Sequence, residues 1–286
     1  MGKVILSFDF EIGWGDITNG VWKRREANGV YKKLRHVLPE MLKTMDNCNF
    51  SATWATVGAM IERPEGRDFS HLSEKQRLVV EAGLREGQVD TFNGRDLFEL
   101  VLACKTNQEI ACHSFSHIPF DYDGVDGIFV KQEMRRFNEI LARYELSTNK
   151  FVFPENTEAF YAELLETGYD KVRVPANNFF KSRYLYLLSL AVIPPPTSKE
   201  ELDETGMTRH FGSMLFNDAG DSRRIPLLER RVSLGLRNVV QKNHDLHIWA
   251  HPFNFAESDG LLKSFKSTIE KIASLRDAGK LSIEFM

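Results

Sequence analysis

The first eleven residues constrain the fold most. Over residues 3–11, Val4, Leu6, Phe8 and Phe10 alternate with Ile5, Ser7, Asp9 and Glu11, the period-two pattern of a β-strand. One face is apolar along its whole length, and the other ends in two carboxylates. A strand with a continuous apolar face must be covered by another layer. The C-terminal end of such a strand is where parallel α/β folds build their sites.

Helices and strands alternate after it. Residues 30–47 place Leu34, Val37, Leu38, Met41, Leu42 and Met45 at helical spacing. Further strands are predicted over residues 51–57, 109–112, 151–153, 171–174, 245–251 and 281–285, and helices over 73–84, 96–104, 128–144, 158–166, 227–242 and 261–278. Such alternation argues for a parallel sheet, open or closed into a barrel. The glycine-punctuated stretch 12–29, carrying Trp14, Asp16 and Trp22, is a loop, and residues 177–209 give no clear pattern. With 286 residues, of which 42% are hydrophobic, the chain can bury one large core, so a single domain over 1–286 is expected. The polar stretch 62–104 is an excursion from that domain rather than a second one.

Composition narrows the partners. A net charge of −3 without a sustained run of one sign speaks against a nucleic-acid groove or a polybasic membrane face. No apolar segment approaches the roughly 20 residues of a membrane span; the most apolar later stretch, 185–196, is stopped by prolines. The N-terminal apolar segment is too short for a signal peptide. The three cysteines, Cys48, Cys104 and Cys112, lack a disulfide framework, so a cytoplasmic protein is expected. Cys112 reads as a small buried residue. Neither a Gly-x-Gly-x-x-Gly motif nor a phosphate loop is present, which removes support for nucleotide-cofactor folds.

The chemistry concentrates at predicted strand ends. His113 and His117, four residues apart, are expected on one side of a helical turn, close enough to grip one metal ion. Asp9 and Glu11 end the first strand, and His251 ends a late one. A carboxylate with two histidines is a common catalytic zinc set. A second carboxylate can take a proton from water, and a further histidine can protonate a leaving group. Of the other histidines, His36, His71, His210 and His244 read as ordinary surface or helix residues, and His247 as a buried, hydrogen-bonded support for His251.

These motifs resemble the polysaccharide deacetylases, the fourth carbohydrate esterase family. Ser7-Phe8-Asp9-Phe10-Glu11 is similar to its first motif, in the variant with one residue between the carboxylates. His113-Ser114-Phe115-Ser116-His117 fits its second, His-Ser/Thr-x-x-His. Leu246-His247-Ile248-Trp249-Ala250-His251-Pro252 is similar to its late histidine motif. The motifs come in the family's order and span nearly the whole chain.

The resemblance implies a distorted, partly open (β/α)-barrel, seven-stranded, with the helical excursion around residues 62–104. It implies Asp9 as base, Glu11, His113 and His117 as ligands of a divalent metal, zinc foremost, Ser114 as a loop support and His251 as acid. Trp14, Asn156, Trp249 and Asn254 are candidates for lining a sugar pocket, and Arg173 joins them as a substrate-side residue. One departure stands out. The family's third motif usually carries an arginine two residues before a proline, and Val152 takes that place before Pro154; Arg173 is the alternative source of the cation. The implied activity is removal of an N-acetyl group from an amino sugar, in a nucleotide-linked or lipid-linked precursor of surface, O-antigen-type polysaccharide. The alternatives are an inactive carbohydrate-binding relative, and a deformylase or other amide hydrolase.

Overall fold

Alternation along the first strand sets the layers of the fold. The computed structural model describes residues 1–175 and 193–286. Part of the unread stretch 177–209, and most of the apolar stretch 185–196, therefore lies outside the described residues. Ten strands form one sheet: β1 (Lys3–Phe10), β2 (Thr53–Thr56), β3 (Glu109–Cys112), β4 (Lys150–Val152), β5 (Lys171–Pro175), β6 (Glu200–Leu202), β7 (Thr208–Gly212), β8 (Met214–Leu215), β9 (Leu246–Ala250) and β10 (Ser282–Glu284). Their order is β6-β7-β5-β4-β3-β2-β1-β9-β8, with β10 also pairing to β1.

Every ladder is parallel except the β6–β7 edge pair. The seven strands predicted from the sequence are β1, β2, β3, β4, β5, β9 and β10; β6, β7 and β8 bring the sheet to ten. Of these, β6 and β8 are three and two residues long, too short to carry a periodic signal. Among the described residues no ladder joins β7 to β9. Instead Ser213 alone separates β7 from β8, so one chain segment pairs with β5 at its start and with β9 at its end. The barrel is spanned there by chain rather than closed by a ladder.

The even-numbered residues of β1 face outward into the main core with the helices Val30–Asn47 and Asp259–Asp277. All six periodic residues expected on the first of these helices are buried. The odd-numbered side enters the barrel, where Ile5, Ala55, Ala111, Val152 and Met286 make a small apolar floor. Between β2 and β3 the excursion contains the helices Glu74–Glu86 and Arg95–Leu102. Ser73 starts the first with a reciprocal capping box to Gln76.

Trp54 is the centre of the outer core. It has no exposed surface, packs against Phe8 at 4.3 Å and Phe10 at 5.3 Å between ring centroids, and donates its indole N–H to Gln108 Oε1 at 3.0 Å. Trp54→Ala should cost about 3–5 kcal/mol of stability, as large-to-small changes in aromatic cores do. The check is a shift of the urea midpoint with an unchanged slope.

Candidate metal centre and active site

Asp9 lies near the end of β1 on the barrel side. Glu11 lies one residue past the strand, against the turn Ile12–Asp16. Gly15 makes room for it, since a Cβ there would collide with the Glu11 carboxylate. His113 directly follows β3, anchored by its N–H on Thr56 O at 2.9 Å. The histidine pair does not sit on a helical turn as the spacing predicts. Residues 113–119 are irregular, and Ser114 and His117 have φ of 60° and 59°. The left-handed region costs a non-glycine residue about 1–2 kcal/mol. Ser114 Oγ offsets part of this by accepting the His117 N–H at 3.0 Å.

The two imidazoles and the carboxylate converge. Glu11 Oε2 is 3.0 Å from His113 Nε2 and 2.8 Å from His117 Nε2, and the two Nε2 atoms are 3.2 Å apart. All three residues are buried. His113 Nδ1 donates to the Val152 carbonyl at 2.8 Å. A carbonyl only accepts, so Nδ1 carries a proton and Nε2 of the neutral ring offers its lone pair. Nε2, directed at the Glu11 carboxylate, is then the ring nitrogen placed to coordinate an ion. The donor set, two imidazole nitrogens and a carboxylate, fits a divalent ion of the zinc type.

Asp9 is buried beside this group, 3% exposed. Arg173 reaches it from β5 through Nη1 to Oδ1 at 2.5 Å and Nη2 to Oδ2 at 2.7 Å. Burial pushes the Asp9 carboxyl up, and the Arg173 guanidinium outweighs it, leaving Asp9 below its usual range. Burial opposes charge on Glu11 as well, but His117 and His251 hold it well below the usual range. Burial lowers His117, and the Glu11 charge more than reverses this.

Arg173 is thus not a substrate-side residue. It is 1% exposed, committed to Asp9, hydrogen-bonded to Ser7 Oγ at 3.2 Å and stacked on Trp249 at 4.6 Å. It also pairs in register with Val152, so the cation missing at Val152 stands one strand over.

His251 Nε2 lies 3.7 Å from Asp9 Oδ2 and 3.5 Å from Glu11 Oε1, and its side chain is 21% exposed, the most open of the five groups. It faces a cleft of about 220 Å³ whose wall includes Asn156, Trp249, Asn254, Glu155 and Asn217. Asn156 Oδ1 is buried without a protein partner. Trp14 is elsewhere: fully buried, with its indole N–H on Phe92 O at 2.9 Å, it packs the excursion against the barrel.

Sequence reading missed Asn217, whose loop carries no periodic or motif signal, and gave no role to Glu155, which follows Pro154 in the third motif. It also misplaced two histidines. His210 is 3% exposed, bonded to Ser198 Oγ at 3.0 Å, and the His71 side chain is 2% exposed, against Glu133. His247 is buried as expected, but its hydrogen bond goes to Ser7 Oγ at 2.7 Å.

No protein-family model and no curated protein matches the chain. Solved structures do. An assigned polysaccharide deacetylase from Mycobacterium smegmatis is similar with a TM-score of 0.60 at 13% identity, covering 99% of this chain and 87% of that one. Puue allantoinase is similar at 0.59 and 12% identity, covering 99% and 87%. A 4-alpha-glucanotransferase from Thermococcus litoralis is similar at 0.56 and 11% identity, covering 99% of this chain and 39% of the other. The chain has the (β/α)-barrel fold of the polysaccharide deacetylases, the family its motifs resemble. No described helix is long and apolar enough to cross a membrane.

Gly15→Ala is a geometric test of the centre, because the added methyl displaces the Glu11 carboxylate. Zinc affinity, measured by chelator competition, should fall by at least about tenfold, as displaced ligand geometry does elsewhere. Thermal unfolding of the metal-free protein should stay close to wild type.

Proposed function

We propose that the protein is a metal-dependent hydrolase that removes an N-acetyl group from an amino sugar, acting as a single barrel domain. The observation that carries this reading is the meeting of Glu11, His113 and His117 beside a separately paired Asp9. When bound, a divalent ion supplies Lewis acidity to the carbonyl and to water.

The chain's own groups divide the proton work. Asp9, kept ionised by Arg173, takes the proton of the attacking water. His251, on the open side, gives a proton to the departing nitrogen, so that water and amide become acetate and amine. The cleft, about 220 Å³, is below the usual range of about 300–1,000 Å³ for a whole drug-sized ligand. It suits a small acyl group entering while the sugar lies across the mouth, with Asn156, Asn254 and Trp249 as its contacts.

Val152 gave the reason to consider a non-catalytic relative, and the Arg173–Asp9 pair removes that reason. The amide is the more open choice. Folds similar to this one carry both deacetylase and allantoinase titles, so the fold does not select the bond. We place the substrate among cytoplasmic precursors of surface polysaccharide; three unpaired cysteines suit a reducing compartment.

The test is product release from nucleotide-linked and lipid-linked N-acetyl sugars, with N-formyl and cyclic-amide compounds alongside. Acetate release should stop on chelation and return with zinc. Asp9→Asn should lower turnover by about 10²–10⁴-fold, the usual weight of a positioned base; equal rates would remove Asp9 from that role. Preference for formyl or cyclic substrates would replace the acetyl reading.

Arg173→Met gives a pH test. With Arg173 present, Asp9 is depressed and stays ionised until the medium is more acid than its ordinary value near pH 4. Without it, burial prevails and Asp9 protonates at higher pH. The acid limb of the rate profile should therefore move upward by about 1–3 pH units.

A further inference from the structure

A buried acid outside the cleft holds the backbone on which both candidate imidazole ligands ride. Glu133 is fully buried, on the helix Gly127–Ala142 among Phe129, Val130, Met134 and Phe137. A carboxylate in such surroundings needs several partners, and these partners define its use. Oε2 accepts two consecutive backbone N–H groups of the histidine loop, Phe115 at 2.9 Å and Ser116 at 2.7 Å. Oε1 faces His71 Nε2 at 2.6 Å. His71 comes from the excursion, stacks on Phe129 and touches Phe115.

The loop has few other ties. Gly58 N–H bonds Ser114 O at 3.0 Å and Ala59 N–H bonds Phe115 O at 2.8 Å, with Ser114 Oγ serving His117. The two N–H groups taken by Glu133 lie between the two left-handed residues. A left-handed conformation persists at such residues only when the surroundings impose it. Glu133 is in position to impose it, and neither Glu133 nor His71 reaches the cleft.

We infer that Glu133, backed by His71, is a positioning residue for the metal centre: it fixes the spacing of His113 and His117 through the backbone between them. This rests on the reading of Glu11, His113 and His117 as metal ligands. It gives the excursion a role, since His71 ties that segment to the loop that binds the ion.

The experiment compares full-length wild type, Glu133→Gln and His71→Phe. Zinc affinity is read by competition with a chromophoric chelator, and folding by thermal melts of the metal-free proteins. Glu133→Gln should bind zinc about 10–100-fold more weakly, the range seen when outer supports of metal ligands are removed. His71→Phe should move in the same direction by a smaller factor, because Glu133 keeps both amide contacts. A merely structural role predicts lower melting temperatures with unchanged zinc affinity in both folded variants, and that result overturns the inference. If Glu133→Gln does not fold, His71→Phe decides alone. Failure of the wild type to bind zinc would instead sink the metal reading, and this inference with it.

Discussion

Two carboxylates buried side by side must each find positive charge. Asp9 and Glu11 are 3% and 5% exposed, and an isolated ionised carboxylate in such a place is far too costly to persist. Arg173 answers for Asp9 with two hydrogen bonds. Among the described residues the cationic partners of Glu11 are imidazoles, and His113 already spends its Nδ1 proton on the Val152 carbonyl. One carboxylate is paired with a guanidinium and the other with imidazoles. In the proposed hydrolase, that asymmetry separates the group that accepts a proton from the group that binds metal.

The barrel interior is shaped around this pairing. Ala55 lies across from Asp9 on β2, and Ala111 lies across from Ala55 on β3. Small side chains there, with Val152 on β4, leave space for Arg173 to cross from β5 to β1. Below the pair the interior continues polar. Ser7 links Arg173 to His247, whose ring lies 4.8 Å from that of His210. Burial, with His210 and Arg173 close by, keeps His247 neutral well below its usual range, so the column adds no second charge to compete for Asp9. Val152 and Arg173 are neighbours in register, so β5 delivers the cation from beside the position where the resembled motif carries one.

How much of this is legible in the sequence follows from where each feature gets its signal. β1, the helix Val30–Asn47 and β9 alternate cleanly because one face of each meets an apolar layer. β7 was missed because its inward residues enter a polar interior: His210 sits where a strand pattern expects an apolar side chain. Asp9, Glu11, His113, His117 and His251 stand out as residue types at strand ends, but their convergence depends on strand order, which no local pattern encodes. Arg173 is legible as an alternative cation, but its reach to Asp9 depends on its register with Val152. Glu133 looks like any charged residue on a helix, and only its burial beneath the histidine loop distinguishes it. Trp14 misled for the opposite reason, since an indole in a loop reads the same whether it lines a cleft or packs beneath one.

Strain is distributed in the same way. Of the ten described non-glycine residues with positive φ, five adjoin the centre: Ile12, Ser114, His117, Glu155 and Asn156. They occupy three of the turns that leave β1, β3 and β4, whereas the ladders beneath them are regular. A parallel barrel fixes where its strands end, but the first residues beyond each end must turn sharply to point a side chain inward. Backbone held in unfavourable regions by its surroundings is found where pre-organisation matters. Here the sheet supplies the register that brings Asp9 and Arg173 together, and the strained turns supply the aim of Glu11, His113 and His117. In the proposed hydrolase, contact with the substrate falls to the third turn, where Glu155 and Asn156 stand at the cleft and Asn156 Oδ1 has no protein partner.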